Sequence, residues 1–219
     1  MSAPENINKQ SLDATTPLNI INPVSSYKDL KRWFDISLIV LFSPVIVPLM
    51  LVTAIIIKLQ SKGPVFFWQK RVGYQGKEYN MLKFRSMITD SEKNGSQFAE
   101  NDDARITSFG RFIRKMRIDE LPQLWNILRG EMSLIGPRPE QIVFVEEYKK
   151  TIPGYMSRHR VLPGITGLAQ VKQGYVDDAE GTRTKLKYDL FYIDNMSFKL
   201  DMYIVFQTLY TMATGFGAR

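Results

Sequence analysis

A long run without a charged side chain, residues 36–57, constrains the fold of this chain more than any other feature. As one straight α-helix, the run would rise about 33 Å, enough to cross a bilayer core of about 30 Å. Pro44 and Pro48 lie in its middle, and a proline inside a helix removes a hydrogen bond and forces a kink. Ser43 can donate a hydrogen bond to a carbonyl that a proline leaves free. The sequence therefore predicts a membrane helix that is broken at Ser43 and Pro44.

Basic residues flank the run on both sides: Lys31 and Arg32 precede it, and Lys58 and Lys62 follow it. Positive charge normally marks only the cytosolic side of a membrane segment. Two cytosolic ends favour a re-entrant hairpin, which enters and leaves the membrane on one face. A kinked helix that spans the bilayer fits the apolar length equally well, and the residues alone leave both interpretations open. A buried core helix fits less well, because tryptophan and basic residues frame the run.

The ionisable residues restrict the chemistry that the chain can perform. Its 219 residues carry a net charge of +7 and a pI near 9.5, which favours an anionic partner. Nucleic acid fits less well, because the chain lacks a basic strand pattern with interleaved aromatic residues. The absence of cysteine excludes thiolate nucleophiles and zinc–thiolate sites, and the single histidine, His159, excludes two-histidine metal sites. A Ser-His-Asp triad on His159 is formally open, although its RHR context favours a basic surface residue. Any chemistry is therefore expected to rest on carboxylates, basic side chains, hydroxyls or an oxygen-bound Mg²⁺.

Three regions follow from the pattern along the chain: a polar tail at residues 1–26, the membrane segment at residues 27–62 and a globular domain at residues 63–219. The tail lacks periodicity and is predicted to be flexible. The domain is predicted to be α/β of the α+β kind, helix-rich and compact, with a small hairpin formed by VFFWQKRVG and KEYNMLKFRSM. Two amphipathic helices near the C-terminus are predicted to pack in the core or to lie on the membrane surface.

The segment at residues 105–139 carries the strongest chemical signal, because four cations precede the adjacent carboxylates Asp119 and Glu120. Short helices are predicted at residues 107–117 and 121–128, the second with Pro122 in its first turn. The dipole of that second helix is expected to lower the pKa of Asp119 and keep it ionised. An ionised aspartate facing a phosphate can act as a nucleophile, with Glu120 as a base or a metal ligand. A helix N-cap with a solvated neighbour explains the pair equally well.

Other cations are candidates for binding phosphate. Arg114 lies five residues before Asp119, and arginine suits bidentate recognition of a diphosphate. Pro137 and Pro139 fix the backbone on both sides of Arg138, which preorganises that cation.

Lys83 and Arg85 in KFRSM are two residues apart and therefore share one face of a strand. A solvated strand face is the simpler interpretation of these two cations.

Taken together, these motifs resemble the bacterial sugar transferases, the monotopic phosphoglycosyl transferases, in their minimal single-domain form. The resemblance covers almost everything after the N-terminal tail, and the combination of DELPQ and GPRP at this spacing is very specific. The motifs that carry it are KRWFD, the Ser43–Pro44 pair, GPVFFWQKRVG, KFRSM, RITSFGRFIR, DELPQLWNILRGEMSLIGPRP, PGITGLAQV and KLKYDLFYIDNMSFKLD.

The resemblance implies transfer of a sugar-1-phosphate from a nucleotide diphospho-sugar, usually UDP-linked, to a polyprenyl phosphate such as undecaprenyl phosphate, with release of UMP. This is the first membrane step in the assembly of exopolysaccharide, capsule, O-antigen or glycoprotein glycans. By the same resemblance, Asp119 attacks the sugar-linked phosphate and forms a covalent phosphosugar intermediate, with Mg²⁺ bound near it. Arg114 and Arg138 match positions that bind phosphate, and Ser43–Pro44 matches the break of a re-entrant helix.

The implied location is the bacterial inner membrane, with the catalytic domain facing the cytosol; self-association is left open. One rival hypothesis is a direct, single-displacement transfer in which Asp119 only binds the metal. Another is a catalytically silent membrane scaffold of a glycan assembly complex.

Overall fold

The computed structural model describes residues 23–88, 105–173 and 179–214, which form a helix-rich α+β fold. The predicted flexible tail lies almost wholly outside the described residues. A single long helix, α1 (Pro23–Gln60), precedes the globular part. By length and composition, it is the one helix of the described residues that could cross a membrane.

The two prolines of α1 lie inside the helix, which continues through both of them. The Ser43 hydroxyl donates a hydrogen bond to the Val40 carbonyl at 2.8 Å. In a regular helix that carbonyl accepts from the N–H of residue 44, which proline lacks. The predicted hydrogen bond of Ser43 is therefore confirmed, whereas the structure has a continuous helix where the sequence predicted a break, because the hydroxyl replaces the missing donor.

The predicted hairpin is confirmed, with β1 (Phe66–Val72) antiparallel to β2 (Glu78–Phe84). The 3₁₀ turn Tyr74–Gly76 joins the two strands. Arg71 pairs with Tyr79 in the register, and Lys83 lies four residues further along β2. Because side chains alternate along a strand and paired residues share a face, these three side chains lie on one face of the hairpin.

The two short helices of the charged segment begin and end close to their predicted bounds. Helix α2 (Ser108–Lys115) is capped by Thr107, whose side chain accepts from the Gly110 N–H at 2.9 Å. A 3₁₀ turn (Ile118–Glu120) leads into α3 (Gln123–Leu128), with Pro122 at its N-cap. Asp119 therefore lies in a separate turn before α3 and not at the N-terminus of α3 itself.

The remaining elements surround a second small sheet, formed by the parallel strands β3 (Ser133–Ile135) and β4 (Gly164–Thr166). Gly164 must be glycine, because a Cβ there would lie 2.1 Å from the Gly136 nitrogen. The predicted strand in PGITGLAQV is β4, and a short helix follows it. The other helices are α4 (Ile142–Thr151), the 3₁₀ helix Tyr155–Arg160, α5 (Leu168–Gln173), α6 (Ala179–Asp194) and α7 (Phe198–Thr214).

The main hydrophobic cluster joins β3 and helices α5, α6 and α7. Its most buried members include Ile135, Leu168, Tyr192 and Ile204. The predicted C-terminal helices α6 and α7 thus contribute one side each to the core. The opposite side of α7 keeps large apolar residues in contact with solvent, among them Phe206, Leu209 and Tyr210.

Both halves of α1 contact the globular part, while residues 40–52 between these contacts are largely exposed. Ile39 belongs to a buried cluster with Met81, and Ile57 to another with Phe84. Between these two contacts, side chains such as Val45 are more than half exposed.

Candidate active site

Asp119 and Glu120 are buried side by side in the 3₁₀ turn Ile118–Glu120, with exposed fractions of 8% and 5%. The turn follows Arg117, which adopts a left-handed conformation with φ of 56°. Successive residues of a 3₁₀ turn point about 120° apart, so the two carboxylates have different surroundings. This burial rules out the solvated N-cap interpretation of the pair.

Glu120 is the carboxylate that the cations hold. Among the described residues, three cations from separate parts of the fold lie near its oxygens: Arg138 at 2.5 Å, Lys83 at 3.6 Å and Arg117 at 3.6 Å. Burial raises the pKa of Glu120, but the charges of these cations outweigh burial and hold that pKa far below its usual range. Since so strongly paired a carboxylate is a poor proton acceptor, the geometry favours a positioning role for Glu120 over the predicted role of base.

Asp119 accepts no hydrogen bond and forms no ion pair within the part of the chain that the structure describes. Burial and the charge of Glu120 raise the pKa of Asp119 to about 6, although Lys83, Arg114 and Arg138 act in the opposite direction. The prediction that a helix dipole lowers this pKa is wrong. Burial in the turn before α3 removes the carboxylate from water and places it next to a second negative charge.

The loop that carries Arg138 is fixed at three consecutive carbonyls, those of Pro137, Arg138 and Pro139. The donors are the N–H of Gly164, at 3.0 Å, and the guanidinium groups of Arg158 and Arg71, at 2.9 and 3.1 Å. Pro137 and Pro139 are both buried. The backbone on both sides of Arg138 is therefore held by hydrogen bonds as well as by the predicted proline restraints.

Arg71 was missed by the sequence reasoning, although it lies in the quoted segment GPVFFWQKRVG. Besides the Pro139 carbonyl, it donates to the Gln69 side chain at 2.6 Å. It shares a face of the hairpin with Lys83, and the strand alternation that predicted a common face for Lys83 and Arg85 would have identified it.

Arg85 lies apart from the carboxylate pair. Its guanidinium donates to the carbonyls of Ser61 and Lys62, at 2.9 and 3.0 Å, where α1 ends. A cation is favourable at the C-terminal end of a helix. The simpler interpretation of these cations, a solvated strand face, is therefore wrong, because Arg85 is buried and the Lys83 side chain is 16% exposed. Arg85 lies beyond the end of β2 at Phe84, and of the two cations it is Lys83 that reaches Glu120.

The single histidine is not a surface residue as predicted. His159 is buried, with 7% of its surface exposed. Burial and the charge of Arg158 lower the pKa of His159 to about 4. Within the described residues, no carboxylate pairs with either ring nitrogen of His159, so the arrangement does not support a Ser-His-Asp triad.

The sequence that forms this cation cluster around two buried carboxylates also matches a known protein family. A sequence profile described as bacterial sugar transferase matches residues 26–215. The chain belongs to the bacterial sugar transferase family. The resemblance carried by DELPQ and GPRP is thereby confirmed, and these two motifs contain Asp119, Glu120 and Arg138.

Several curated relatives of this sugar transferase are named for the transfer of a sugar phosphate to undecaprenyl phosphate. It is 52% identical over 92% of its length to the UDP-N-acetylgalactosamine-undecaprenyl-phosphate N-acetylgalactosaminephosphotransferase of Aeromonas hydrophila. It is 43% identical over 89% of its length to the UDP-glucose:undecaprenyl-phosphate glucose-1-phosphate transferase of Klebsiella pneumoniae. The chain spans 48% and 41% of the lengths of these two relatives, about half in each case.

A shorter relative is covered more fully. The putative undecaprenyl-phosphate N-acetylgalactosaminyl 1-phosphate transferase of Bacillus subtilis (strain 168) is 40% identical over 72% of this chain, and the match covers 90% of that relative.

The carboxylates of this sugar transferase suit a metal ion that is bound partly by the protein and partly by phosphate oxygens of the substrate. Within residues 23–88, 105–173 and 179–214, no group of three or more acidic or histidine side chains could hold a metal ion. The Asp119 carboxylate is not engaged, whereas Glu120 is paired with cations. Mg²⁺ commonly binds one or two carboxylates together with substrate phosphates, and Asp119 fits that arrangement. Mg²⁺ itself stays a prediction.

Proposed function

We propose that this chain transfers a sugar-1-phosphate from a UDP-sugar to a polyprenyl phosphate, undecaprenyl phosphate, and releases UMP. The observation that carries the proposal is the unengaged, buried carboxylate of Asp119, next to cations that are fixed before substrate binds. A family whose relatives are named for this reaction supports it. A silent scaffold would have no need of a buried carboxylate with an excess of positive charge around it.

In the proposed reaction, an Asp119 oxygen attacks the sugar-linked phosphorus. The bond between that phosphorus and the bridging oxygen breaks, UMP leaves, and the sugar-1-phosphate is bound to Asp119 as an acyl phosphate. An oxygen of the polyprenyl phosphate then attacks the same phosphorus, and the aspartyl–phosphorus bond breaks. The products are a polyprenyl diphosphate sugar and free Asp119.

Fixed cations lower the cost of these two steps. Lys83 and Arg138 lie against Glu120, and the charge of Arg114 reaches Asp119. Together they neutralise the diphosphate that approaches two carboxylates. Glu120 holds Lys83 and Arg138 in place. Mg²⁺, held by Asp119 and phosphate oxygens, would supply further neutralisation of the diphosphate charge.

UMP release from a panel of UDP-sugars, with undecaprenyl phosphate and Mg²⁺, tests the proposal. UDP-N-acetylgalactosamine is the first donor to assay, because the 52% identical relative is named for it, and UDP-glucose is the second. We expect UMP from at least one donor. Absence of UMP with every donor, from protein that is folded and in a lipid bilayer, would contradict the proposed reaction.

We also propose that α1 lies in the bacterial inner membrane, with the globular domain on the cytosolic side. Only 11% of the most apolar window of α1 is buried by the protein. The three tryptophans of the chain, Trp33, Trp68 and Trp125, are 70%, 53% and 52% exposed. Tryptophan is enriched at the boundary between membrane and water, so their exposure supports a shared interfacial level. The exposed apolar side of α7 supports a membrane-surface helix.

The contacts at the two ends of α1 support a re-entrant path. Ile39 and Ile57 are about 27 Å apart along a straight helix. They pack in clusters with Met81 and Phe84, which lie three residues apart in β2, about 10 Å. A bend near Ser43 and Pro44 would bring both contacts to one side of the domain and leave residues 40–52 in the lipid.

Replacing Pro44 with alanine is expected to straighten α1 toward a full span. The chain has no cysteine, so Ser2→Cys gives one label site for a membrane-impermeant maleimide applied to intact cells. We expect no periplasmic labelling with the native α1 and increased labelling with Pro44→Ala, because alanine restores the helical N–H.

Permeabilised cells provide the control for access of the maleimide, and Pro48→Ala tests whether the effect belongs to the first proline. Periplasmic labelling of Ser2→Cys in the protein with native α1 would rule out the re-entrant path.

A further inference from the structure

We propose that Asp189 and Arg158 act as a positioning pair that fixes Arg138 in the active site. The inference rests on the proposed function, because Arg138 matters there as a phosphate-binding cation. Neither residue belongs to DELPQ or GPRP. Asp189 lies in α6 and Arg158 in the 3₁₀ helix Tyr155–Arg160.

The guanidinium of Arg158 donates hydrogen bonds to three groups. Arg158 is buried, with 3% of its surface exposed. Its Nε and Nη2 donate to Oδ2 of Asp189 at 2.9 and 2.7 Å. Its Nη2 also donates to the Arg138 carbonyl at 2.9 Å, and its Nη1 donates to the Tyr155 hydroxyl at 3.1 Å. Asp189, itself 1% exposed, therefore fixes the plane of the guanidinium that holds the Arg138 backbone.

While the Arg138 carbonyl accepts from Arg158, the Arg138 side chain contacts the active-site carboxylate. Its Nη2 lies 2.5 Å from Oε1 of Glu120, and its Nη1 donates to the Ile165 carbonyl at 3.3 Å. Flanking prolines restrict φ at residues 137 and 139, and Pro139 also confines Arg138 to the broad extended region. Within that region, the hydrogen bond from Arg158 sets the orientation of the Arg138 carbonyl. Rotation of that carbonyl would move the guanidinium, and a displacement of about 1 Å at a catalytic group can lower a rate by about 100-fold.

A purely structural explanation does not account for the contact with Arg138. A second pair, Arg160 and Asp194, links the same two elements with an N–O distance of 2.7 Å, and it is more than half exposed. Arg160 donates to Asp194 and to the Ser157 carbonyl and not to the active-site loop. The chain thus provides one link between the elements that touches Arg138 and one that does not.

The main test is Arg158→Lys, measured as steady-state UMP release with the best donor. Lysine can keep the buried ion pair with Asp189, but one ammonium cannot hold Asp189, Tyr155 and the Arg138 carbonyl in a fixed plane. We expect kcat to fall by about 10- to 100-fold, with little change in the donor KM. Arg160→Lys is the matched control and is expected to retain the native kcat.

A double-mutant cycle with Arg138→Lys separates positioning from general destabilisation. If Arg158 acts through Arg138, Arg158→Lys should lower kcat by less than about twofold once Arg138 is already lysine, because coupled residues are non-additive. Multiplication of the two single effects would overturn the inference, as would native kcat in Arg158→Lys. If Arg158→Lys does not fold, Asp189→Asn takes its place in the cycle with the same criteria.

A readout without turnover keeps this inference separate from the proposed function. In a crystal structure of Arg158→Lys, we expect the Arg138 guanidinium to have moved away from Glu120. An unchanged contact between Arg138 and Glu120 would overturn the inference even if the enzyme proved to act on another substrate. Failure of the native protein to release UMP would count against the proposed function alone.

Discussion

Asp119→Asn is expected to lower UMP release by at least about a thousandfold, because the amide removes the attacking oxygen anion. The fold should tolerate the change. No cation is paired directly with Asp119 among the described residues, and the pKa of Asp119 is raised to about 6 by burial and by Glu120. A neutral side chain of the same shape is therefore at least as compatible with the site as the carboxylate. Initial rates with the best UDP-sugar, together with the Tm of both proteins, measure the two effects.

The pH profile of the native protein gives a second signature of the same carboxylate. A nucleophilic Asp119 must be ionised, and its pKa of about 6 means that it becomes protonated as the pH falls below that value. For the free enzyme, kcat/KM for the donor should therefore fall by about tenfold for each pH unit below 6 and level off above it. The residual activity of Asp119→Asn should lack this limb.

Asp194→Asn alters an exposed carboxylate and is the control that should retain the native rate.

Transfer of label to the protein separates the covalent mechanism from direct displacement. With labelled donor and no acceptor, native protein should carry label and Asp119→Asn should not. An inactive Asp119→Asn combined with unlabelled native protein would favour direct displacement, with Asp119 as a metal ligand. Undiminished UMP release by Asp119→Asn would exclude Asp119 both as the nucleophile and as an essential metal ligand.

Local patterns predicted the elements near the site well, because short-range rules determine them. The hairpin follows from strand alternation around a glycine-containing turn, and α2 follows from the Thr107 cap. The same rules predicted a helix at residues 121–128, with Asp119 at its N-terminus. The structure instead tightens residues 118–120 into a 3₁₀ turn, in which the N–H of residue i+3 donates to the carbonyl of residue i. Sequence periodicity does not resolve a difference of one turn.

The division of charge between the two carboxylates could not be predicted from the sequence. Lys83 and Arg138 are 37 and 18 residues from Glu120 in the numbering, and only tertiary contacts bring them to Glu120 and not to Asp119. The same limit explains Arg158, which acts through the carbonyl of another residue. The sequence supplies the residue types of the site, but the fold determines which carboxylate is paired and which is available for chemistry.

Lys31→Met is expected to lower the free energy of unfolding by about 3–5 kcal/mol, the cost of breaking a buried ion pair by removing one partner. The Lys31 ammonium lies 2.7 Å from Oδ2 of Asp201 and 3.8 Å from Oδ1 of Asp35. All three residues are at least nine-tenths buried, with exposed fractions of 5%, 0% and 2%. Methionine preserves the length of the side chain and leaves two buried carboxylates without their cation.

The expected result is a decrease in Tm of about 6–20 °C for a chain of this size, measured in detergent or in nanodiscs. Lys70→Met is the comparison, because Lys70 and Glu78 form an exposed pair at 3.9 Å that should contribute less than about 1 kcal/mol. Adding Asp201→Asn to Lys31→Met should recover part of the loss, since it removes one of the unpaired charges. Since Lys31 joins α1 to α7, an unchanged Tm in Lys31→Met would mean that this ion pair does not stabilise the packing of α1 against the domain.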